Sequence, residues 1–183
     1  MLAFARKDRT ARAVCPSMGI DLSSSDDKIR QPPPGANAKI LAIYDYWRRI
    51  APGRGLLPGR RHLHPTDIPK LLPNVWLVDV TGDPQRFRVR LVGSALQQAG
   101  FPLKLGDFVE GPVPPARRPA ALSDFRFVTT SRQPLWFRGM PPVPHEKEVY
   151  EIERIFLPLA ADGATVDVLL CLTVFYKSTG EEW

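Results

Sequence analysis

The sequence predicts an α+β domain, and two of its features indicate this class. Apolar runs at residues 75–80 and 87–93 flank a Thr-Gly-Asp-Pro segment. This predicts a β-hairpin, because Gly and Asp suit a tight reversal and Pro84 withholds a ladder donor. Helical patterns follow, and three further apolar runs complete the order ββαααβββ. Strands at both ends of a helical middle are typical of an α+β fold.

The composition favours a single soluble domain. A chain of 183 residues, of which 44% are hydrophobic, can bury a sizeable core. Its twenty prolines are about twice the usual share of roughly 5%. They cluster at 32–34, 112–119 and 141–144, where they mark linkers or rigid loops.

The net charge of +6 raises the question of nucleic acid. The basic residues are spread along the chain, since residues 1–38 hold six Lys/Arg against four Asp/Glu. No basic run interleaved with aromatic residues falls on one predicted face. A solvated basic surface is therefore favoured over a nucleic-acid footprint.

Residues 1–36 are predicted to be a flexible leader, because they lack a sustained apolar period. A short amphipathic helix over 1–12 or a misassigned start codon are alternatives. Cys15 lies in this leader and Cys171 in an apolar run, so no disulfide framework is predicted. The chain shows neither a signal peptide nor an 18-residue apolar run, which predicts a cytoplasmic protein without a membrane span.

A first helix is predicted to begin after Asn37, a good N-cap, and to end at the Pro-Gly pair at 52–53. The apolar residues that follow the helical period are Ile40, Ile43, Tyr44, Trp47 and Ile50. Leu41, Tyr44 and Trp47 can either cover the sheet within the chain or form a dimer or partner surface. Cover within the chain is the favoured interpretation.

The middle of the chain predicts two helices, a short one from 93 to 100 and a longer one over 116–132. Pro119 fits the longer helix only in its first turn. Its predicted inward residues are Ala121, Leu122, Phe125 and Val128. Its predicted outward residues are Arg117, Arg118, Asp124 and Arg132.

Three strands are predicted at 135–138, 149–159 and 166–176. An Asp-Gly turn at 162–163 joins the last two. The run 166–176 is apolar on both faces, which indicates a central strand. The acidic residues Glu146, Glu148, Glu151 and Glu153 are expected on an edge or solvent face.

A set of spaced motifs resembles a PAS subfamily found mostly as single-domain proteobacterial proteins. The matching residues are Leu57-Pro58, Arg60, Pro65, Ile68, Leu72-Pro73, Phe87-Arg88, Arg90-Leu91-Val92-Gly93, Arg154 and Leu157-Pro158-Leu159. The resemblance covers about residues 40–176. Ser94 and residues 103–106 depart from the family pattern, so no ligand role is assigned to that loop.

The resemblance implies a PAS-like, five-stranded antiparallel sheet with helices over one face and an N-terminal flanking helix. The domain is predicted at residues 37–177, with a short C-terminal tail at 178–183. The resemblance also implies a sensory or interaction role. The subfamily's ligand and chemistry are poorly defined, so no cofactor is named.

Neither a metal site nor a catalytic residue is predicted. His62 and His64 can share one side of an extended segment, but zinc needs a third ligand, and His145 adds no suitable spacing. Solvated loop histidines are favoured, and none falls in the helical layer where a haem would need one. Ser94 lacks a nucleophile elbow and Cys171 lies mid-strand without a nearby His, so an enzyme is not expected.

Arg154 is the most informative single residue. Strict alternation places it on the apolar face of its strand with Ile152 and Phe156. An unpaired buried guanidinium is expensive, so we expect an acidic partner or an anionic ligand. Structural pairing with Asp79 or Asp107 is favoured, and a bulge that turns the side chain to water is the alternative.

The candidate ligand pocket lies between sheet and helices. It is predicted from aromatic and aliphatic residues together with the arginine: Phe87, Leu91, Leu122, Phe125, Trp136, Arg154, Phe156 and Leu172. The same residues would equally form the core of a ligand-free domain, and the sequence leaves both open.

The chain is therefore predicted to be a PAS-type sensory or protein-interaction module without an output domain. It is expected to act through a protein partner, a sensor kinase or another PAS domain, and a homodimer is one such assembly. The expected mechanism is a shift between two packings of the first helix on the sheet. A nucleic-acid-binding protein and a small-molecule enzyme are the alternatives.

Overall fold

The computed structural model describes residues 30–82, 84–141 and 149–183, and it forms a five-stranded antiparallel sheet covered on both faces. Predictions for residues 1–29, Asp83 and 142–148, which include Cys15, His145, Glu146 and Glu148, lie outside the described residues. The strands lie in the order β2-β1-β5-β4-β3. Their bounds are β1 Val75–Thr81, β2 Arg86–Val92, β3 Leu135–Gly139, β4 Glu151–Leu159 and β5 Val168–Tyr176. The helices are α1 Ala38–Arg49, α2 Ser94–Gln98 and α3 Arg118–Ser131.

Helix α1 covers one face of the sheet and begins as predicted. The side chain of Asn37 accepts a 2.8 Å hydrogen bond from the backbone N–H of Lys39, which caps the helix. The helix buries Ile40, Ile43 and Tyr46 against β4 and β5. The predicted N-terminal flanking helix is therefore confirmed.

The predicted hairpin is also confirmed, with Gly82 in the left-handed region at φ 74°. A bulge at Arg90 of β2, opposite Leu77 and Val78, shifts the register of the two strands. Leu91 is consequently 41% exposed. Beyond β2, residues 106–109 run along its outer edge, where the N–H of Val89 donates to the carbonyl of Asp107 over 2.8 Å.

Strand β5 is central, as its apolar run predicts. All nine residues are buried, and the strand pairs with β1 on one side and β4 on the other. Its side chains alternate between two cores, with Leu170 and Leu172 under α1 and Leu169 and Cys171 facing α2 and α3. Each face of the sheet therefore has its own apolar core.

Helix α3 closes the second core with Phe125 and Val128. Pro119 lies in its first turn, where the missing N–H is tolerated, so that prediction is confirmed. A 3₁₀ turn at Pro115–Arg117 precedes the helix. Within the described ranges, neither this helix nor any other has the length and apolar character that crossing a membrane requires.

The last residues return along the sheet rather than leaving it. The N–H of Trp183 donates to the carbonyl of Phe175 over 2.9 Å, and Lys177 donates to Glu181. Glu182 forms an ion pair with Lys39 of α1. Residues 178–183 thus contact both β5 and the first helix.

Gly93 ends β2 at a point where two backbones meet. A Cβ there would overlap the carbonyl oxygens of Leu72 and Pro73. The glycine N–H also donates to the carbonyl of Val75 over 2.8 Å. Only glycine fits this close approach.

We expect Gly93→Ala to destabilise the protein by at least about 2 kcal/mol, because backbone atoms on both sides must move. Urea denaturation measures the change. Gly35→Ala is the matched control: no atom lies within 4 Å of its added methyl group, so a change within about 0.5 kcal/mol is expected. Equal effects of the two substitutions would contradict the close-approach argument.

Candidate functional site

Arg154 on β4 faces the core under α2 and α3, as its alternation predicts. Its side chain is 13% exposed, and its Nη2 donates to Asp124 Oδ2 on α3 over 3.1 Å. The guanidinium also lies over the rings of Phe137 and Phe156, 5.1 and 5.0 Å from their centroids. The expected acidic partner is therefore present.

The identity of that partner differs from the prediction. Asp79 accepts from Arg90 over 2.8 Å, and Asp107 accepts from the N–H of Lys104. Asp124, predicted to point outward, is half-buried because it lies on the flank of α3 beside the buried Phe125. The helical period alone places Asp124 near the boundary between core and solvent, and only the position of β4 decides its contact.

Burial sets the protonation of the groups around Arg154. Desolvation lowers the pKa of the Arg154 guanidinium, and the nearby Asp124 carboxylate opposes that shift. Burial likewise raises the pKa of the Cys171 thiol well above its usual value, with Arg154 acting in the opposite direction. Cys171 is therefore a protonated thiol in the core, which argues against a nucleophilic role.

A cavity of about 60 Å³ lies beside Arg154, between the sheet, α3 and the segment that follows α2. Its lining residues are Trp76, Phe101, Pro102, Leu103, Pro112, Ala121, Phe125, Ile152, Arg154, Thr173 and Phe175. The walls are mostly aromatic and aliphatic. Among the described lining residues, Arg154, Thr173 and Trp76 alone bring polar side-chain atoms.

Two of these polar groups, Trp76 and Thr173, are hydrogen-bonded to each other. The indole N–H of Trp76 donates to the Thr173 hydroxyl oxygen over 3.1 Å. Thr173 is only 2% exposed and lies opposite Arg154 in the register of β4 and β5. In the described part of the chain, Arg154 Nε is buried without a hydrogen-bond acceptor. The cavity therefore offers donors rather than acceptors to a ligand.

The predicted pocket residues separate into three groups. Phe125 and Arg154 line the cavity, while Phe87, Leu122 and Phe156 pack in the core around it. Leu91 is exposed because the extra residue Arg90 forms a bulge in β2. Trp136 and Leu172 pack on the opposite face, under α1.

Strand alternation explains why Trp136 and Leu172 do not line the predicted pocket. Leu172 pairs with Ile155, which is adjacent to Arg154 and therefore points the other way. Trp136 pairs with Ile155 as well. Thr173 was not predicted as a site residue, although a single Thr in the otherwise apolar middle of β5 is a detectable signal.

A buried acidic side chain, Glu153, lies on the face of β4 that α1 covers. Glu153 is 0% exposed, although the sequence predicted it on a solvent face. Its Oε1 accepts from the Asn37 N–H over 2.9 Å and from the Trp136 indole over 3.0 Å, and its Oε2 accepts from the Tyr176 hydroxyl over 2.9 Å. The start of α1 covers the carboxylate, and the partial positive charge of that helix end favours it.

Tyr176 completes this arrangement, which we call the α1 latch: Asn37, Trp136, Glu153 and Tyr176. Its hydroxyl oxygen accepts from the Asn37 side-chain amide over 3.0 Å while its proton goes to Glu153. Burial raises the pKa of Tyr176 to about 12, and the hydrogen bond to Glu153 adds to the shift while the bond from Asn37 opposes it. The phenol therefore stays a donor at physiological pH.

The predicted partner surface on α1 is half-buried. Leu41, Tyr44 and Trp47 pack against the core on this face. The Trp47 indole donates to the carbonyl of Pro158 over 2.8 Å, and Tyr44 stacks on Trp47 with centroids 6.1 Å apart. Trp47 thus covers the sheet within the chain, as the favoured interpretation holds.

The two described histidines make different contacts, His62 through its imidazole and His64 through its backbone. His62 Nδ1 accepts from the Gly59 N–H over 3.0 Å, and the N–H of His64 donates to the Tyr46 hydroxyl over 2.9 Å. In residues 30–82, 84–141 and 149–183, no group of three or more His, Cys, Asp or Glu side chains is placed to hold a metal ion.

The five-stranded antiparallel sheet, with α1 on one face and α2 and α3 on the other, defines an α+β domain. The PAS domain family model matches residues 36–173. That is most of the chain, which therefore belongs to the PAS domain family. No curated protein and no solved structure matches it. The resemblance seen in the sequence is confirmed.

We expect Glu153→Gln to destabilise the protein by about 1–3 kcal/mol, because an amide group cannot accept every donor that the carboxylate accepts. Urea denaturation gives the loss, and hydrogen exchange should show faster exchange at the start of α1. Glu151→Gln is the control, because Glu151 is 32% exposed and pairs with Arg138 at the surface. A change within about 1 kcal/mol is expected there. Unaltered exchange at α1 in Glu153→Gln would contradict the latch.

Tyr176 should make stability depend on alkaline pH. Its folded-state pKa of about 12 lies above the unfolded value near 10, so the folded protein binds the extra proton between these limits. Its stabilising effect is full below about pH 10 and is lost as the pH rises through about 12. We expect Tyr176→Phe to remove the latest phenolate transition at 295 nm and to flatten the alkaline decline in stability. An unchanged absorbance titration would overturn this assignment.

Proposed function

We propose that this PAS domain senses a small ligand in the cavity beside Arg154 and signals through α1 to a protein partner, a sensor kinase or another PAS domain. The observation that carries the proposal is a pair of dipeptides. Glu153 and Arg154 are consecutive on β4, and Phe175 and Tyr176 are consecutive on β5. In each pair one residue lines the cavity and the other belongs to the α1 latch.

This adjacency supplies a short mechanical route through the sheet. A ligand that draws Arg154 or Phe175 toward the cavity moves the backbone that also carries Glu153 and Tyr176. The latch bonds are 2.9 to 3.0 Å long, and hydrogen bonds weaken as their geometry departs from the optimum. Ligand binding then changes the balance between a latched and a released α1, by as much as the ligand prefers one state over the other.

The partner contact is proposed on the flank of α1 that the core covers only in part. Leu41 and Tyr44 are half-buried there, and Arg48 lies over the Tyr44 ring, 5.8 Å from its centroid. A released helix exposes more of this apolar flank. A second copy of the chain is the PAS partner to test first, and a sensor kinase is the other.

The two alternative functions gain no support from a specific observation. The arginines of β2 are engaged within the chain, since Arg90 binds Asp79, Arg88 donates to Gly106, and Arg86 lies over the Phe108 ring. A nucleic-acid footprint would need such side chains free to reach phosphates. PAS domains are generally non-enzymatic sensory modules, and the buried Cys171 thiol offers no nucleophile. The cytoplasmic location remains a prediction.

We expect Tyr44→Ala to weaken self-association at least about tenfold, because it removes the largest ring from the outer flank of α1. Sedimentation velocity measures the dimer dissociation constant. Trp47→Ala should instead destabilise the fold by about 2 kcal/mol or more, since it also loses the bond to Pro158. Ala42→Ser, at an exposed position of the same helix, is the control. Equal self-association of Tyr44→Ala and Ala42→Ser would remove α1 as the contact.

A further inference from the structure

The cavity presents two hydrogen-bond donors that lack acceptors. Arg154 Nε is buried without a partner in the described part of the chain. The Thr173 hydroxyl accepts from Trp76 over 3.1 Å, and its own proton meets no acceptor among the described residues. Buried polar groups are almost always hydrogen-bonded, so two unpaired donors in one cavity indicate that a bound molecule supplies the acceptor.

The two donors are placed to share one acceptor. Arg154 and Thr173 lie opposite each other on β4 and β5, and both side chains line the cavity. Opposed residues in an antiparallel pair have Cβ atoms about 4.5–5.5 Å apart. A single oxygen between them can therefore accept from the guanidinium and from the hydroxyl.

The charge at the site favours a neutral acceptor. Asp124 already sits 3.1 Å from the Arg154 guanidinium and balances its charge. A carboxylate ligand would add a second negative charge inside apolar walls, where an uncompensated ion is expensive. A carbonyl oxygen satisfies both donors and adds no charge.

The volume limits the rest of the ligand. One water-sized group needs about 10–15 Å³ of such space, so the cavity of about 60 Å³ takes roughly four to six non-hydrogen atoms. The walls that surround the polar corner are Trp76, Phe101, Phe125 and Phe175 among others. They suit a short apolar body.

We propose that the cavity binds a small neutral carbonyl compound of the short-chain ketone class, with its oxygen between Arg154 and Thr173. This rests on the proposed sensory function and names the ligand class of that site. For so few atoms the dissociation constant lies between about 10 µM and 10 mM.

The test uses the full ¹⁵N-labelled chain titrated with two probes, 2-butanone and butyrate. Binding of 2-butanone should shift the Nε–H signal of Arg154 and the amide signals near Thr173. Butyrate should bind at least about tenfold more weakly, because it brings a charge. The titration gives both dissociation constants from the same signals.

Substitutions locate the site. Thr173→Val should weaken 2-butanone binding about 3- to 10-fold, while Thr173→Ser keeps the hydroxyl and should stay within about threefold. Ala121→Leu fills the cavity and should abolish binding. Ala120→Leu, one position along α3 and exposed, should leave it intact. Thermal unfolding of each variant checks that its fold survives.

The outcomes separate this inference from the function on which it rests. Tighter binding of butyrate than of 2-butanone overturns the neutral-carbonyl class and leaves a ligand-sensing cavity. Equal binding by Ala121→Leu and the wild type places the probe elsewhere and overturns the site. Absence of binding by both probes overturns the inference, and the self-association of Tyr44→Ala then judges partner signalling separately.

Discussion

The buried carboxylate of Glu153 needs hydrogen-bond donors from three different elements of the domain at once. An ion taken out of water is tolerated only when donors replace its hydration. Here the donors come from the start of α1, from β3 and from β5. The register of β4 with both neighbours and the seating of the first helix are therefore coupled, since a fault in either leaves the carboxylate unsatisfied.

Strand β4 carries a second ion directly after the first, and alternation sends it to the other face. Glu153 ties α1 to the sheet, and Arg154 ties α3 to it through Asp124. Each helix is thus held both by apolar burial and by one directional polar contact. Apolar contacts tolerate small shifts, whereas a hydrogen-bonded ion has few good positions, so each face of the sheet has a contact that responds sharply to displacement.

Helix boundaries and the central strand could be predicted from the sequence, because they depend on interactions between residues close together in the chain. The cap at Asn37, the first-turn Pro119 and the doubly apolar β5 depend on residues a few positions apart. The candidate site depends on long-range register, which a single sequence does not supply. Leu172 was assigned to the wrong face of the sheet because the register of β5 with β4 was not known. Glu153 was predicted at the surface because the sequence does not show that α1 covers it.

The two edges of the sheet differ in a way that bears on assembly. Residues 106–109 pair with the outer side of β2 and cover that edge. In the described part of the chain, β3 pairs with β4 alone, and its one charged residue, Arg138, binds Glu151 of β4. Among the described residues, β3 is therefore the strand at which strand addition can begin. Two molecules that joined through β3 would each use this edge, and their described β2 edges are covered by residues 106–109, so association of this kind ends at a pair and does not continue into a fibre.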